Sequence, residues 1–182
     1  MSSDSEVKLD DKYVFQNITN NMVKDLNVTL GTFDITTKER ISHFLSQVIQ
    51  ESELGRWTTE LGGKKYFSKY EPGTKLGKQL GNTKKGDGYK FRGAGYIQMT
   101  GRYNYQRFAD AMGDPKITKI GAEYVAENYA WRAAGFWWDD NKLNKLVDSG
   151  ASVTQVTKRV NGGTNHLVNR KKYYALVKKT LR

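Results

Sequence analysis

The chain has 182 residues, no cysteine, and a formal net charge of +11 from 30 lysines and arginines against 19 aspartates and glutamates. That length buries the core of one domain, and the missing cysteines exclude a disulfide framework. No apolar run approaches the roughly 18 residues of a membrane span, and the polar, acidic start Met1-Ser-Ser-Asp-Ser-Glu reads as no secretory signal.

Residues 1–14 read as an N-terminal tail and residues 15–182 as a single domain. Ile18, Met22, Val23 and Leu26 fall near helical spacing and predict a helix over Phe15–Leu30. Thr36 followed by Glu39 makes a capping box, after which Ile41, Phe44, Leu45, Val48 and Ile49 form an apolar stripe that predicts a helix ending at Gly55. Gly62 to Gly88 is rich in glycine and lysine and reads as a long irregular loop with a short hairpin around Tyr66–Tyr70, a length that usually serves function. Helices are expected again over Tyr103–Met112, Gly121–Asp139, Leu143–Val147, Val153–Val160 and Val168–Leu181. Trp131, Phe136, Trp137 and Trp138 sit at helical spacing, which reads as core before it reads as a sugar-stacking shelf.

The densest signal is Gly86 to Arg107. Five glycines (Gly86, Gly88, Gly93, Gly95, Gly101) are mixed there with five aromatics and four basic residues, a combination that no regular element explains. Glycines let backbone approach closely, and aromatics beside Gln98, Thr100 and Asn104 suit sugars, which have apolar faces and hydroxyl edges. Composition alone leaves an ordinary tyrosine-rich connecting loop as an equal reading.

Arg92-Gly93-Ala94-Gly95-Tyr96-Ile97-Gln98-Met99-Thr100-Gly101-Arg102-Tyr103-Asn104-Tyr105 resembles the signature of glycoside hydrolase family 19, the chitinases and their lysozyme-like phage and bacterial relatives. Leu80-Gly81-Asn82-Thr83 and Gly86-Asp87-Gly88 resemble the phage and bacterial branch. The resemblance extends over about Asn21 to Leu181. It implies a mainly α, lysozyme-like, two-lobed helical domain with a deep cleft and at most a small β-hairpin.

Glycoside hydrolysis needs two carboxyl groups flanking the bond. Glu51 lies at the edge of the apolar stripe and in the last helical turn, where both burial and the helix dipole favour a protonated acid. The residues by themselves still favour a surface glutamate. In the family the helix ends in His-Glu followed by Ser or Thr, and that glutamate is the general acid, so the resemblance assigns Glu51 that role. Gln50 stands where the family has histidine and Glu53 where it has glycine, departures that leave the neighbouring hydrogen bonds open. Glu60, nine residues on, matches the second glutamate of the lysozyme-like branch. On one straight helix it would lie ~13 Å away along the axis on the opposite face, so the chain must turn at Gly55. Glu71 and Asp87 are weaker competitors for the base.

The resemblance further implies that Thr100 helps hold the attacking water, and that Gln98, Tyr103 and Asn104 line the cleft. Asn161, in Val160-Asn161-Gly162-Gly163, would bind substrate, and Arg170 would pair with a catalytic carboxylate. Unaided, Gln98 and Asn104 also suit turn chemistry, Asn161 a common turn, and Arg170 a helix surface. His43 and His166 have no metal-ligand spacing, and neither a metal nor another cofactor is expected.

The charge favours a polyanion without choosing between nucleic acid and bacterial wall, and the paired lysines (Lys64-Lys65, Lys84-Lys85, Lys171-Lys172, Lys178-Lys179) also suit solvated faces. The expectation is an inverting, monomeric hydrolase of β-1,4-linked N-acetyl-hexosamine polymers. Its substrate is peptidoglycan rather than chitin, with teichoic acids as a further contact and with no nucleic-acid partner or membrane insertion. The cysteine-free, unsignalled, basic form suits an endolysin made in a bacterial cytoplasm and released to the wall by a holin, or a wall hydrolase secreted by another route. The rivals are a true chitinase and a non-catalytic wall- or nucleic-acid-binding module.

Overall fold

The computed structural model describes residues 19–181, which contain eleven α-helices. The expected tail over residues 1–14 and the start of the expected first helix at Phe15 lie outside the described residues. In order the helices are α1 (Asn20–Thr32), α2 (Lys38–Glu51), α3 (Lys75–Gln79), α4 (Asp87–Lys90), α5 (Arg102–Met112) and α6 (Lys116–Ile120). They continue with α7 (Ala122–Asn128), α8 (Ala130–Asp140), α9 (Leu143–Asp148), α10 (Val153–Asn161) and α11 (Leu167–Thr180). No helix of the described residues is long and apolar enough to cross a membrane.

Helix α2 organises the first half. Its N-cap is Thr37, whose hydroxyl accepts the Arg40 N–H at 3.2 Å. The expected box on Thr36 does not form, because the Thr36 hydroxyl donates to Asp34 instead. Glu39 is thereby freed to reach Tyr174 and Lys178 on α11. Phe44 and Val48 go fully into the core, while Leu45 and Ile49 face Tyr173 and Val177 of α11, so α2 is clamped on two sides. Each such side chain taken from water contributes about 1.5–3 kcal/mol.

Besides the small α2–α11 cluster of Ile49, Tyr173 and Val177, two larger hydrophobic clusters form among the described residues. One gathers Ile35, Phe44, Val48, Tyr96, Trp138, Leu143 and Val156; the other gathers Phe91, Met99, Tyr105, Phe108, Ile117 and Val125. Helix α8 is common to both, giving Ala134 and Trp138 to the first and Ala133 to the second. The aromatic run is therefore core: Trp131 and Trp137 pack on the first cluster and Phe136 on the second. Gly135 lets α1 lie against α8, since a Cβ there would come within 2.4 Å of Phe33 and 2.6 Å of Thr29.

Three expected elements are corrected. Tyr66–Tyr70 is a 3-10 turn rather than a hairpin, and extended pairing is limited, among the described residues, to isolated bridges of Ala94 with Thr59 and with Met99. The expected loop also contains the short helices α3 and α4. The single helix over Gly121–Asp139 is two, broken at Tyr129, whose φ is −139°. That residue leaves the helical region while its ring packs edge-on to Phe108 and its hydroxyl donates to Asp114.

Candidate active site

Glu51 is the last residue of α2, and the chain reverses directly after it. The Ser52 hydroxyl donates to the Val48 carbonyl and accepts the Gly55 N–H. Glu53, Leu54 and Gly55 then take φ of 47°, 66° and 81°, so the reversal begins two residues before the expected glycine. Two non-glycine residues in this left-handed region cost about 1–2 kcal/mol each. Backbone bonds from Leu54 to Ile49 and from Trp57 to Ser52 hold the turn, and Glu53 accepts the Trp57 indole N–H at 2.9 Å, away from Glu51.

The Glu51 carboxylate is not in apolar surroundings. Its side chain is 26% exposed, and Oε1 accepts a hydrogen bond from the Arg170 guanidinium at 2.6 Å. Arg170 is itself buried and also donates to Gln47 Oε1 at 2.7 Å and, through Nε, to the Asn165 carbonyl at 3.1 Å. Gln47 in turn donates to Thr157 Oγ1. Asn161 accepts the Gly163 N–H at 2.8 Å and its amide reaches the same Asn165 carbonyl at 3.5 Å. One polar set thus joins α2, α10 and α11 under Glu51. Gln50, where the family has histidine, has its Oε1 buried without a hydrogen-bond partner.

Glu60 is held by loops. Its backbone N–H donates to the Gly93 carbonyl at 2.8 Å, and the Gly95 N–H donates to the Thr58 carbonyl. These bonds carry Glu60 onto the glycine-rich segment. Glu60 Oε2 then accepts the Gly93 N–H at 3.3 Å, Oε1 accepts the Tyr70 hydroxyl at 3.2 Å, and Lys69 Nζ lies 3.6 Å from Oε1. A Cβ on Gly93 would lie 2.7 Å from Gln98 Oε1 and 3.2 Å from Glu60 Cβ, so a side chain there would displace Gln98 and crowd Glu60.

Gln98 backs this group with a φ of 58°, its amide donating to the Gly95 carbonyl while Oε1 is buried without a partner. The Thr100 hydroxyl donates to the Gln98 carbonyl at 2.8 Å, and the Asn104 amide donates to the Thr100 carbonyl at 2.8 Å. The structure therefore brings Glu60, Gln98, Thr100 and Asn104 into one group, and Glu51, Arg170 and Asn161 into another. Among the described residues no hydrogen bond joins the two groups. Tyr103 belongs to neither; it is 59% exposed, with Arg107 over its ring.

The competing carboxylates are occupied. Glu71 accepts the N–H groups of Gly86 and Gly88 at 2.7 and 3.0 Å. Asp87 is buried; burial pushes its pKa up, but Arg102 and the N–H groups of Lys84 and Thr83 bring it net below the usual carboxylate range. His43 is buried between helices, where loss of solvent lowers its pKa to about 4. A shallow apolar pocket lined by Met22, Leu26, Ile49, Leu54, Tyr96 and Trp131 contains none of the polar site residues. Lys69, Tyr70, Gln47 and Asn82 escaped the sequence reading. Only Asn82 had a signal, in Leu80-Gly81-Asn82-Thr83.

No protein-family model matches the chain. A glycosyl hydrolase family 19 domain-containing protein of Haemophilus influenzae is 40% identical over 96 residues, which is 52% of this chain and 44% of that protein. Over those 96 residues the chain is similar to a family 19 glycosyl hydrolase domain-containing protein, in line with the resemblance read from the glycine-rich segment. The match spans less than half the length of that curated relative. Among solved structures, chitinase C from Streptomyces griseus HUT6037 superposes with a TM-score of 0.68 at 17% identity, covering 92% of this chain and 88% of that one. The class IV family 19 chitinase from Zea mays superposes with a TM-score of 0.65 at 16% identity, covering 89% and 80%. At those identities the likeness is one of fold, and it is the helical family 19 fold described above.

Proposed function

We propose that this chain hydrolyses β-1,4 bonds between N-acetyl-hexosamines with inversion, using Glu51 as acid and Glu60 as base. The observation that carries the reading is that these two carboxylates each accept a side-chain hydrogen bond on Oε1, from Arg170 at Glu51 and from Tyr70 at Glu60. Arg170 occupies Glu51 Oε1, so Oε2 is the oxygen that carries the proton to the leaving group. Glu60 Oε2, with a single N–H at 3.3 Å, is the oxygen that takes a proton from water. Thr100 spends its own proton on the Gln98 carbonyl and so offers lone pairs to that water. Gln98 and Asn104 shape the wall beside Glu60, Asn161 contacts the glycan on the Glu51 side, and exposed Tyr103 offers its ring face to a sugar farther out.

The substrate class proposed is peptidoglycan. Chitin is neutral, whereas wall polymer carries peptide carboxylates and teichoic phosphates that a chain of net charge +11 attracts. The absence of cysteine fits an endolysin made in a reducing cytoplasm. The rival substrate is chitin, favoured by the chitinase names of the solved relatives. Turbidity loss of bacterial walls against sugar release from colloidal chitin separates the two, and mass spectrometry of digested peptidoglycan names the bond from its new reducing end. Proton NMR of the fresh product should show the inverted anomer; retention overturns the assignment of Glu60 as base. Binding without bond cleavage in either assay leaves the non-catalytic module.

A further inference from the structure

Glu60 lies outside any helix, yet its carboxylate is contacted from three sides, by Gly93 N–H, the Tyr70 hydroxyl and the Lys69 ammonium. The last two come from one element, the 3-10 turn Tyr66–Tyr70. Lys69 is steered there by aromatic faces: its ammonium lies 3.5 Å from the Tyr66 ring centre and 4.7 Å from that of Tyr70.

The turn is fixed in its own right. Phe67 is fully buried beneath it. The Asn82 amide donates to the Tyr70 carbonyl at 2.8 Å, while Asn82 Oδ1 accepts the Arg102 N–H at the start of α5, also at 2.8 Å. Glu71, next in sequence, is held by two backbone N–H groups, and Asp87 pairs with Arg102. The Leu80-Gly81-Asn82-Thr83 and Gly86-Asp87-Gly88 stretches make no hydrogen bond to Glu60. They hold the turn that does, and tie it to the helix that carries Asn104.

We infer that Tyr70 and Lys69 are positioning residues for Glu60, gripping Oε1 so that Oε2 alone faces the attacking water. The inference rests on the reading of Glu60 as base. A glutamate in a loop has three side-chain torsions, and a base that leaves the line of attack contributes nothing; fixing it beforehand removes that entropy from the barrier. Positioning of this kind acts on turnover and leaves substrate affinity alone.

The test is steady-state kinetics on soluble peptidoglycan strands for the wild type, Tyr70→Phe, Lys69→Met, Lys69→Arg and Glu60→Gln, with a thermal melt of each. Tyr70→Phe and Lys69→Met should each lower kcat about tenfold with KM held within about twofold, and the melts should be unchanged. Lys69→Arg, which keeps the charge, should recover most of the loss. A loss carried by KM, an unchanged kcat in Tyr70→Phe, or a Lys69→Arg enzyme as slow as Lys69→Met overturns the inference. If Glu60→Gln turns over at the wild-type rate, the base assignment falls and takes the inference with it; if Glu60→Gln is dead while Tyr70→Phe and Lys69→Met are not slowed, only the positioning role falls.

Discussion

Glu51 and Glu60 are held by different kinds of structure. Glu51 ends a helix packed on two sides, and its partner Arg170 comes from the buried face of α11. Glu60 sits between helices, and its partners are a backbone N–H, a phenol and an ammonium supplied by loops. Direction on the first side is set by burial that the fold as a whole depends on. On the second it is set by hydrogen bonds that add little to the fold. Substitutions around Glu51 should therefore register in stability and activity together, and those around Glu60 in activity alone.

The largest effect comes from the two carboxylates themselves. Glu51→Gln and Glu60→Gln should each slow wall lysis by roughly 10²–10⁴-fold, measured as turbidity loss. They should differ in the melt: Glu51→Gln leaves the Arg170 guanidinium without its anion and lowers the midpoint, while Glu60→Gln leaves it in place. Either variant clearing walls at more than about a tenth of the wild-type rate loses its assigned role.

Arg170→Leu should come next. It removes a buried cation on which Glu51 and Gln47 both depend, and breaking such a pair costs about 3–5 kcal/mol, or roughly 10 °C in a chain of this size. Calorimetry checks it. A dead enzyme that melts at the wild-type temperature would break the comparison, since Arg170 would then matter only to chemistry.

Acid should loosen the same side. His43 lies between α2 and α11 against Tyr174, with Glu39 and Lys178 nearby, and its Nδ1 has no partner. Its pKa falls from 6.5 to about 4 on folding, so between those values the unfolded chain binds the extra proton. Stability is then full above pH 6.5 and declines as pH drops towards 4, by up to about 3 kcal/mol. Denaturant unfolding at pH 7 and pH 4.5 for the wild type and His43→Phe measures it, and a slope that survives the substitution would rule His43 out.

The smallest effect should come from the outer face of α11. Lys171, Lys172 and Lys179 are exposed, whereas Lys178 is engaged with Glu39 and Tyr174. Reversing the three free lysines to glutamate should cut wall association and lysis at low salt by several-fold and spare turnover of a soluble fragment. Equal losses on both substrates would mean that this face supports the Glu51 side rather than steering it.

Much of the Glu51 side was legible in the sequence. The stripe Ile41, Phe44, Leu45, Val48 and Ile49 specifies a helix with Glu51 at its end, because burial along a helix repeats at a fixed period. The cap was misplaced by one residue, since Thr36 and Thr37 carry the same hydroxyl and only the competition of Asp34 for Thr36 separates them. Arg170 lies 119 residues from Glu51 and was reached only by resemblance. The Glu60 side was far less legible. Tyr70 and Lys69 meet Glu60 through a loop whose path depends on Asn82, Glu71 and Asp87 bonding to backbone, and such bonds leave no periodic trace. The break at Tyr129 has neither glycine nor proline to announce it, being imposed by what Tyr129 touches in the fold.

Helix α8 has a consequence for how the molecule comes apart. Adjacent residues Ala133 and Ala134 serve opposite clusters, so neither half has a complete wall of its own. Melting one cluster strips a face from the helix that seals the other. The two halves are thus bound to open in a single cooperative step, with the central amides of α8 the last to exchange their hydrogens with solvent.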